Sequence, residues 1–151
     1  VAQMRQAGIN VGLGTDGATS NNRLDLFGEM RLAALLAKGT SGDASALPAN
    51  EVLHMATLGA ASALGLAGEV GSLAPGKQAD LCAVSLGDLE SRPCFDPVAH
   101  LVNVVGRENV THVWVAGKCC VDNKTLINDS QNDLESALAL WQNVLEFRHR
   151  Q

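Results

Sequence analysis

The chain has 151 residues, 46% hydrophobic and 18% charged, a globular composition long enough to bury about two-thirds of the unfolded surface. Its 16 acidic and 11 basic residues give a net charge of -5 without a basic stripe, which argues against nucleic acid or an anionic membrane as the main partner. No apolar run is long enough to span a bilayer, and no basic segment followed by an apolar one suggests export, so a cytoplasmic location is expected.

Residues Val1 to Gly8 read as the last turns of a helix closed by glycine. A chain that opens with a helix already running is expected to be the tail of something longer, a natural start or an artificial boundary being the alternatives. Next, Ile9, Val11 and Leu13 alternate with Asn10, Gly12 and Gly14, the period of two of a strand. Asp16 falls on the same side as Asn10, Gly12 and Gly14, just past the carboxyl end. In parallel α/β sheets and barrels that rim is where ligands bind. Taken alone, Asp16-Gly17 is more often a turn or a cap.

Residues 17–22 are small and polar, as a loop at a strand end should be. Asn22 or a neighbour is expected to cap a helix over Leu24 to Lys38, with Asp25 in its first turn and Leu24, Phe27, Met30, Arg31 and Leu35 as its stripe. Thr40 to Ala46 reads as a flexible linker. Pro48 fits the first position of a second helix, which runs to Leu64, with Val52, Met55, Ala56, Ala60, Ala63 and Leu64 on one face and Gly65 at its end.

The texture then changes. Gly71 to Lys77 is a turn-rich approach to a strand over Ala79 to Leu86, and Pro75-Gly76 has the residues of a type II turn. A short helix is expected over Pro97 to Val105. Strands Val110 to Val115 and Lys118 to Val121 form a hairpin through Ala116-Gly117. Asp129 or Ser130 caps a final helix whose Leu134, Leu138, Trp141 and Leu145 share a side, with Arg148, His149 and Arg150 at its end. That stripe is expected to pack on its own protein. Cys82, Cys94, Cys119 and Cys120 have no C-x-x-C spacing and read as small packing residues in a reducing compartment. One parallel-type strand cannot build a sheet, which is the structural difficulty of this sequence.

Three stretches together resemble the carboxyl-terminal third of the amidohydrolase superfamily, in its aminohydrolase and chlorohydrolase branch. They are Gly12 to Gly17 with Ser20-Asn21-Asn22, then Ala56 to Gly65, then Gly71 to Leu81. The run Ser20 to Arg31 is most similar to the 5-methylthioadenosine/S-adenosylhomocysteine deaminases. The resemblance implies an α/β fold: the last strand and helices of a (β/α)8 barrel plus part of a flanking β-sandwich. Residues 1–70 are then the end of the barrel, 71–125 the sandwich share and 126–151 a terminal helix. The lone strand is barrel strand eight, which resolves the difficulty.

The same resemblance implies one divalent metal, zinc or iron, held in the complete enzyme by histidines and by an aspartate that Asp16 matches. Such a metal lowers the pKa of bound water from ~15.7 to near ~7, and the aspartate moves the water proton toward the leaving ammonia. The implied substrate is a small purine nucleoside, with Ser20, Asn21 and Asn22 as candidates to line its pocket, although loop capping suits at least two of them. None of His54, His100, His112 and His149 lies in an H-x-H pair, and all four read as satisfied structural histidines. A zinc site takes three or four protein ligands, so this chain alone is expected to hold no catalytic metal and to be inactive. Lys77 and Asp80 are read as shaping a turn and tying a strand. The alternatives are a sister activity, on triazines or guanine, and a non-catalytic module that self-associates through exposed strand edges or lacks its amino-terminal part.

Overall fold

The computed structural model describes residues 1–127, 135–140 and 142. Helix α1 (Ala2–Gln6) ends at Gly8, whose φ of 75° lets the Gly8 and Ile9 N–H groups donate back to the Arg5 and Met4 carbonyls. In residues 9–15 the expected alternation holds from Asn10 on: Val11, Leu13 and Thr15 are half-buried, and Asn10, Gly12, Gly14 and Asp16 are exposed, whereas Ile9, expected on the apolar side, is exposed too. The segment carries no strand ladder, which corrects the expected strand. Its Leu13 N–H donates to Met55 O at 3.0 Å, and the Asn10 amide donates to Gly59 O at 2.9 Å. It lies against a helical junction, and among the described residues no strand pairs with it.

Helix α2 (Leu26–Ser41) starts later than expected, because Leu24 takes a φ of 48° and Asp25, not Asn22, becomes the N-cap. The Asp25 carboxylate accepts from Phe27 N at 3.2 Å and Gly28 N at 3.3 Å. The helix takes in the first two residues of the expected linker, Thr40 and Ser41, and stops at Gly42, φ 69°. Its buried face is Met30, Ala34 and Ala37, whereas Leu24 and Leu35 of the expected stripe are exposed. Met30 of the expected stripe is buried, together with two alanines outside it.

The expected second helix is two, α3 (Ala49–Ala56) and α4 (Leu58–Ala63), broken where Thr57 adopts φ -128°, ψ -102°. Pro48 is the N-cap of α3 and not its first turn. Val52, Met55, Gly59 and Ala61 are buried, while Ala63 and Leu64 are exposed. Gly65, φ 75°, closes α4 as Gly8 closes α1.

Four antiparallel strands follow in the order β1-β2-β3-β4: β1 (Leu81–Val84), β2 (Val110–Val115), β3 (Lys118–Asp122) and β4 (Thr125–Leu126). Ala116 and Gly117 both have positive φ, as a two-residue turn matching strand twist requires. The Asp80 carboxylate accepts from Ala116 N at 2.5 Å, which ties β1 to that hairpin. Lys77 Nζ donates to the Ala67 carbonyl and, at 3.2 Å, to Val70 O, so it too organises a loop. Helix α5 (Pro97–Asn103), capped by Asp96, sends Val102 into one cluster with Met30, Ala34, Ala37, Leu47, Val52 and Met55. Val11 and Leu13 pack against that cluster.

The four cysteines are free thiols. Cys119 and Cys120 are half-buried, whereas Cys82 and Cys94 are exposed, which corrects the reading of those two as packing residues. Residues 135–140 and 142 are helical and exposed, and Leu138, the residue of the expected terminal stripe that is described, is among them. Asp129, Ser130, Leu134, Trp141, Leu145, Arg148, His149 and Arg150 lie outside the described residues. No described helix is long and apolar enough to cross a membrane.

Candidate functional site

The polar loop begins where the apolar alternation stops. Asp16 stands at φ 60°, in the left-handed region that short polar side chains tolerate better than most. Its Oδ1 accepts the Gly17 N–H at 2.7 Å, and the Thr15 hydroxyl donates to the Asp16 carbonyl at 3.2 Å. The residue is exposed, and Oδ2 makes neither of these bonds. The Ser20 and Asn21 N–H groups both donate to Gly17 O at 2.9 Å, which folds the loop into a tight turn directly after the carboxylate.

Asn21 leads from this turn to α2. Its amide donates to Glu29 Oε1 at 2.7 Å, and its Oδ1 accepts from Arg23 N at 3.2 Å. It therefore fastens the loop to the helix. It also lines a polar cleft of about 340 Å³ with Arg23, Glu29, Arg31 and Glu108, which neither Asp16, Ser20 nor Asn22 lines. Ser20 and Asn22 are exposed on the loop. Thr15 is the added participant. Only its place beside the Asp-Gly turn marks it in the sequence.

Beyond the loop, an apolar groove of about 440 Å³ runs between the helices and β1, lined by Phe27, Met30, Leu53, Cys82, Val84 and Leu101 among others. Cys82 keeps solvent contact, yet partial burial pushes its thiol up from the ordinary range. The histidines lie elsewhere. His112 Nε2 is 3.0 Å from Asp122 Oδ1, its ring stacks on Trp114 at 5.5 Å, and His100 Nδ1 is 3.1 Å from the Asp96 carbonyl. His54 is exposed on α3.

Among the described residues, no three His, Cys, Asp or Glu side chains come close enough to hold a metal ion. Asp16 offers oxygen donors of the right chemistry, but one carboxylate falls short of the three or four protein ligands of a zinc site. The described residues by themselves do not make up such a site. What the loop can do on its own is hold a solvent-accessible carboxylate, one oxygen fixed by a backbone N–H, at the end of an extended segment.

Residues 1–120 match the model of the amidohydrolase family. The chain is 44% identical over 144 residues to the 5-methylthioadenosine/S-adenosylhomocysteine deaminase of Teredinibacter turnerae, covering 95% of this chain and 33% of that protein. It is 45% identical over 138 residues to the 5'-deoxyadenosine deaminase of Methanosarcina acetivorans, covering 91% and 32%. The zinc-bound crystal structure of an adenosine deaminase from Xanthomonas campestris superposes with a TM-score of 0.90 at 41% identity, over 97% of this chain and 33% of that one. The chain thus spans about a third of the length of the relatives it matches.

Proposed function

The chain belongs to the amidohydrolase family, and on that premise we propose that it is the carboxyl-terminal part of a metal-dependent aminohydrolase that deaminates an adenine-type nucleoside. Residues 1–70 end its barrel, and 71–125 contribute to its small sandwich, whose last strand β4 reaches Leu126. The observation that carries the reading is the placement of Asp16: an accessible carboxylate ending an alternating segment whose apolar side packs on the helices. Relatives named as deaminases of methylthioadenosine, S-adenosylhomocysteine and deoxyadenosine support the substrate class.

Deamination of an adenine ring adds water to the carbon bearing the amino group and expels ammonia. A proton must leave the water and reach the departing nitrogen. Asp16 carries that proton: the Gly17 N–H fixes Oδ1, and Oδ2 receives it and passes it on. Ser20, Asn21 and Asn22 border the substrate, with Asn21 chiefly holding the loop through Glu29. In the complete enzyme Asp16 would also supply one oxygen ligand to a zinc or iron ion, which would lower the pKa of the attacking water, the remaining ligands being expected outside this chain. Alone, the chain turns over no substrate.

The test is a covalent chimaera in which the amino-terminal two-thirds of the Teredinibacter relative precedes Val1. Deamination of methylthioadenosine by the chimaera is expected, followed as loss of adenine absorbance. Asp16→Asn should lower kcat by about 10²–10⁴-fold with unchanged thermal unfolding, since the residue is exposed. Turnover by the isolated chain, or a full rate in the Asp16→Asn chimaera, overturns the reading.

A further inference from the structure

The carboxylate that ends the extended segment has a reactive neighbour. Asp16-Gly17 is the one Asp-Gly pair in the chain, and no asparagine precedes a glycine. The Gly17 N–H donates to Asp16 Oδ1 at 2.7 Å, which holds that nitrogen beside the carbon that carries Oδ1. Other aspartates in turns and caps are engaged differently. Asp25, Asp43 and Asp96 accept from N–H groups two or three residues ahead. Their following residues also hinder attack: Leu26 and Ala44 carry a Cβ, and Pro97 has no N–H.

Nothing shields the pair. Residues 16–20 are exposed, and within 4 Å a Cβ at Gly17 would meet only Thr19 Oγ1, at 3.9 Å. Glycine puts no side chain between its nitrogen and the carbon to be attacked. The Ser20 and Asn21 N–H groups, both on Gly17 O at 2.9 Å, keep the glycine in its turn.

We infer that Asp16-Gly17 is a site of spontaneous covalent modification, in which the backbone isomerises through a succinimide to isoaspartate. The Gly17 nitrogen attacks Asp16 Cγ, and the new C–N bond closes the ring. Oδ2 departs as water, taking one proton from the Gly17 nitrogen and one from solvent. Water then adds to either ring carbonyl and breaks its C–N bond. The nitrogen recovers its proton, and the new carboxyl group returns one to solvent. Addition at Cγ restores aspartate. Addition at the Asp16 backbone carbonyl leaves the chain running through Cβ, with the carboxylate now on Cα. The chemistry does not depend on the function proposed above. Its consequence for activity does, because the isomer moves the proton carrier out of place.

The full chain is incubated in warm neutral buffer enriched in heavy-oxygen water and digested, and electron-transfer fragmentation tells the isomers at each aspartate apart. Isoaspartate is expected at position 16 with solvent oxygen in its carboxylate. It should form about tenfold or more faster than at Asp43, an exposed aspartate followed by alanine. Gly17→Val fits the open space around position 17 and should slow the reaction by about tenfold or more, because a branched side chain stiffens the backbone and covers the nitrogen. Asp16→Asn closes the same ring with ammonia as the leaving group, so it should yield aspartate and isoaspartate faster still. Equal rates at Asp16 and Asp43, an unslowed Gly17→Val or a product without solvent oxygen overturns the inference. In the covalent chimaera, aged in chelator and then given zinc, the deaminase rate should fall in step with the isoaspartate fraction. Isoaspartate at position 16 beside a full rate leaves the inference standing and sinks the functional reading.

Discussion

Gly12 approaches Ala60 so closely that a Cβ at position 12 would stand 3.0 Å from the Ala60 Cα and 3.1 Å from its Cβ. The contact seats the extended segment on α4 and places the Asp16 loop relative to the helices. Backbone on backbone leaves no flexible side chain to yield. Gly12→Val should therefore lift the segment and cost about 1–3 kcal/mol, the range for overpacking a fitted contact. Gly14 has nothing within 4 Å of its Cβ position, and Gly14→Ala should change stability by no more than about 0.5 kcal/mol. Urea midpoints of the two variants check the contrast.

Asp25 caps α2 with one oxygen shared between the Phe27 and Gly28 N–H groups. Asp25→Ala leaves both donors without that acceptor and should cost about 0.5–2 kcal/mol, with Asp25→Asn recovering most of it. The Arg23 guanidinium lies 3.5 Å from the same carboxylate, but Arg23 is largely exposed, so Arg23→Ala should cost about 1 kcal/mol or less. Thermal unfolding of the three variants separates cap from ion pair.

Local chemistry made much of this fold legible. Gly8 and Gly65 ended their helices where the pattern stopped, and Ala116-Gly117 turned its hairpin. The alternation gave the correct sides from Asn10 to Asp16 but not for the exposed Ile9, and a ladder depends on a neighbour that a period of two cannot reveal. The break at Thr57 was hidden because apolar spacing runs through it. The cause is tertiary: Asn10 and Leu13 draw on the Gly59 and Met55 carbonyls at the junction. The β3–β4 turn at Asn123-Lys124 was missed because lysine is not a residue that announces positive φ. A single carboxylate has no spacing partner either. Asp16 stood out by its place at a segment end and by the family resemblance around it, while Thr15 did not stand out at all.

Gly71 combines both reasons for a glycine. Its φ is +86°, and a Cβ there would lie 2.7 Å from Ala61 Cβ and 3.0 Å from Leu58 Cα. Gly76 has a similar φ of +89° with nothing within 4 Å. Gly76→Ala should thus cost only the left-handed backbone term, about 1–2 kcal/mol, whereas Gly71→Ala adds the clash and should exceed about 2 kcal/mol. Equal losses for the two in a denaturant titration would show that the turn following α4 moves freely away from that helix.

Asp43 gives a pH dependence whose direction can be worked out. The Ser45 hydroxyl, at 2.6 Å, and the Ser45 N–H, at 2.8 Å, hold its carboxyl below the ordinary carboxylate value; a slight burial opposes them and the Lys38 charge adds least. Both hydrogen bonds favour the ionised form, so the folded state binds this proton less readily than the unfolded chain does. The stabilisation is complete above the unfolded value of about 3.9 and is lost as the pH falls through the lower folded value. Ser45→Ala removes the larger cause and should raise the Asp43 pKa toward the ordinary value without reaching it, because the backbone N–H at position 45 remains. Lys38→Gln should raise it less. Carboxyl-carbon NMR titration of the wild type and both variants reads each shift directly, and a larger rise in Lys38→Gln than in Ser45→Ala would mean that charge, not hydrogen bonding, holds this carboxylate down.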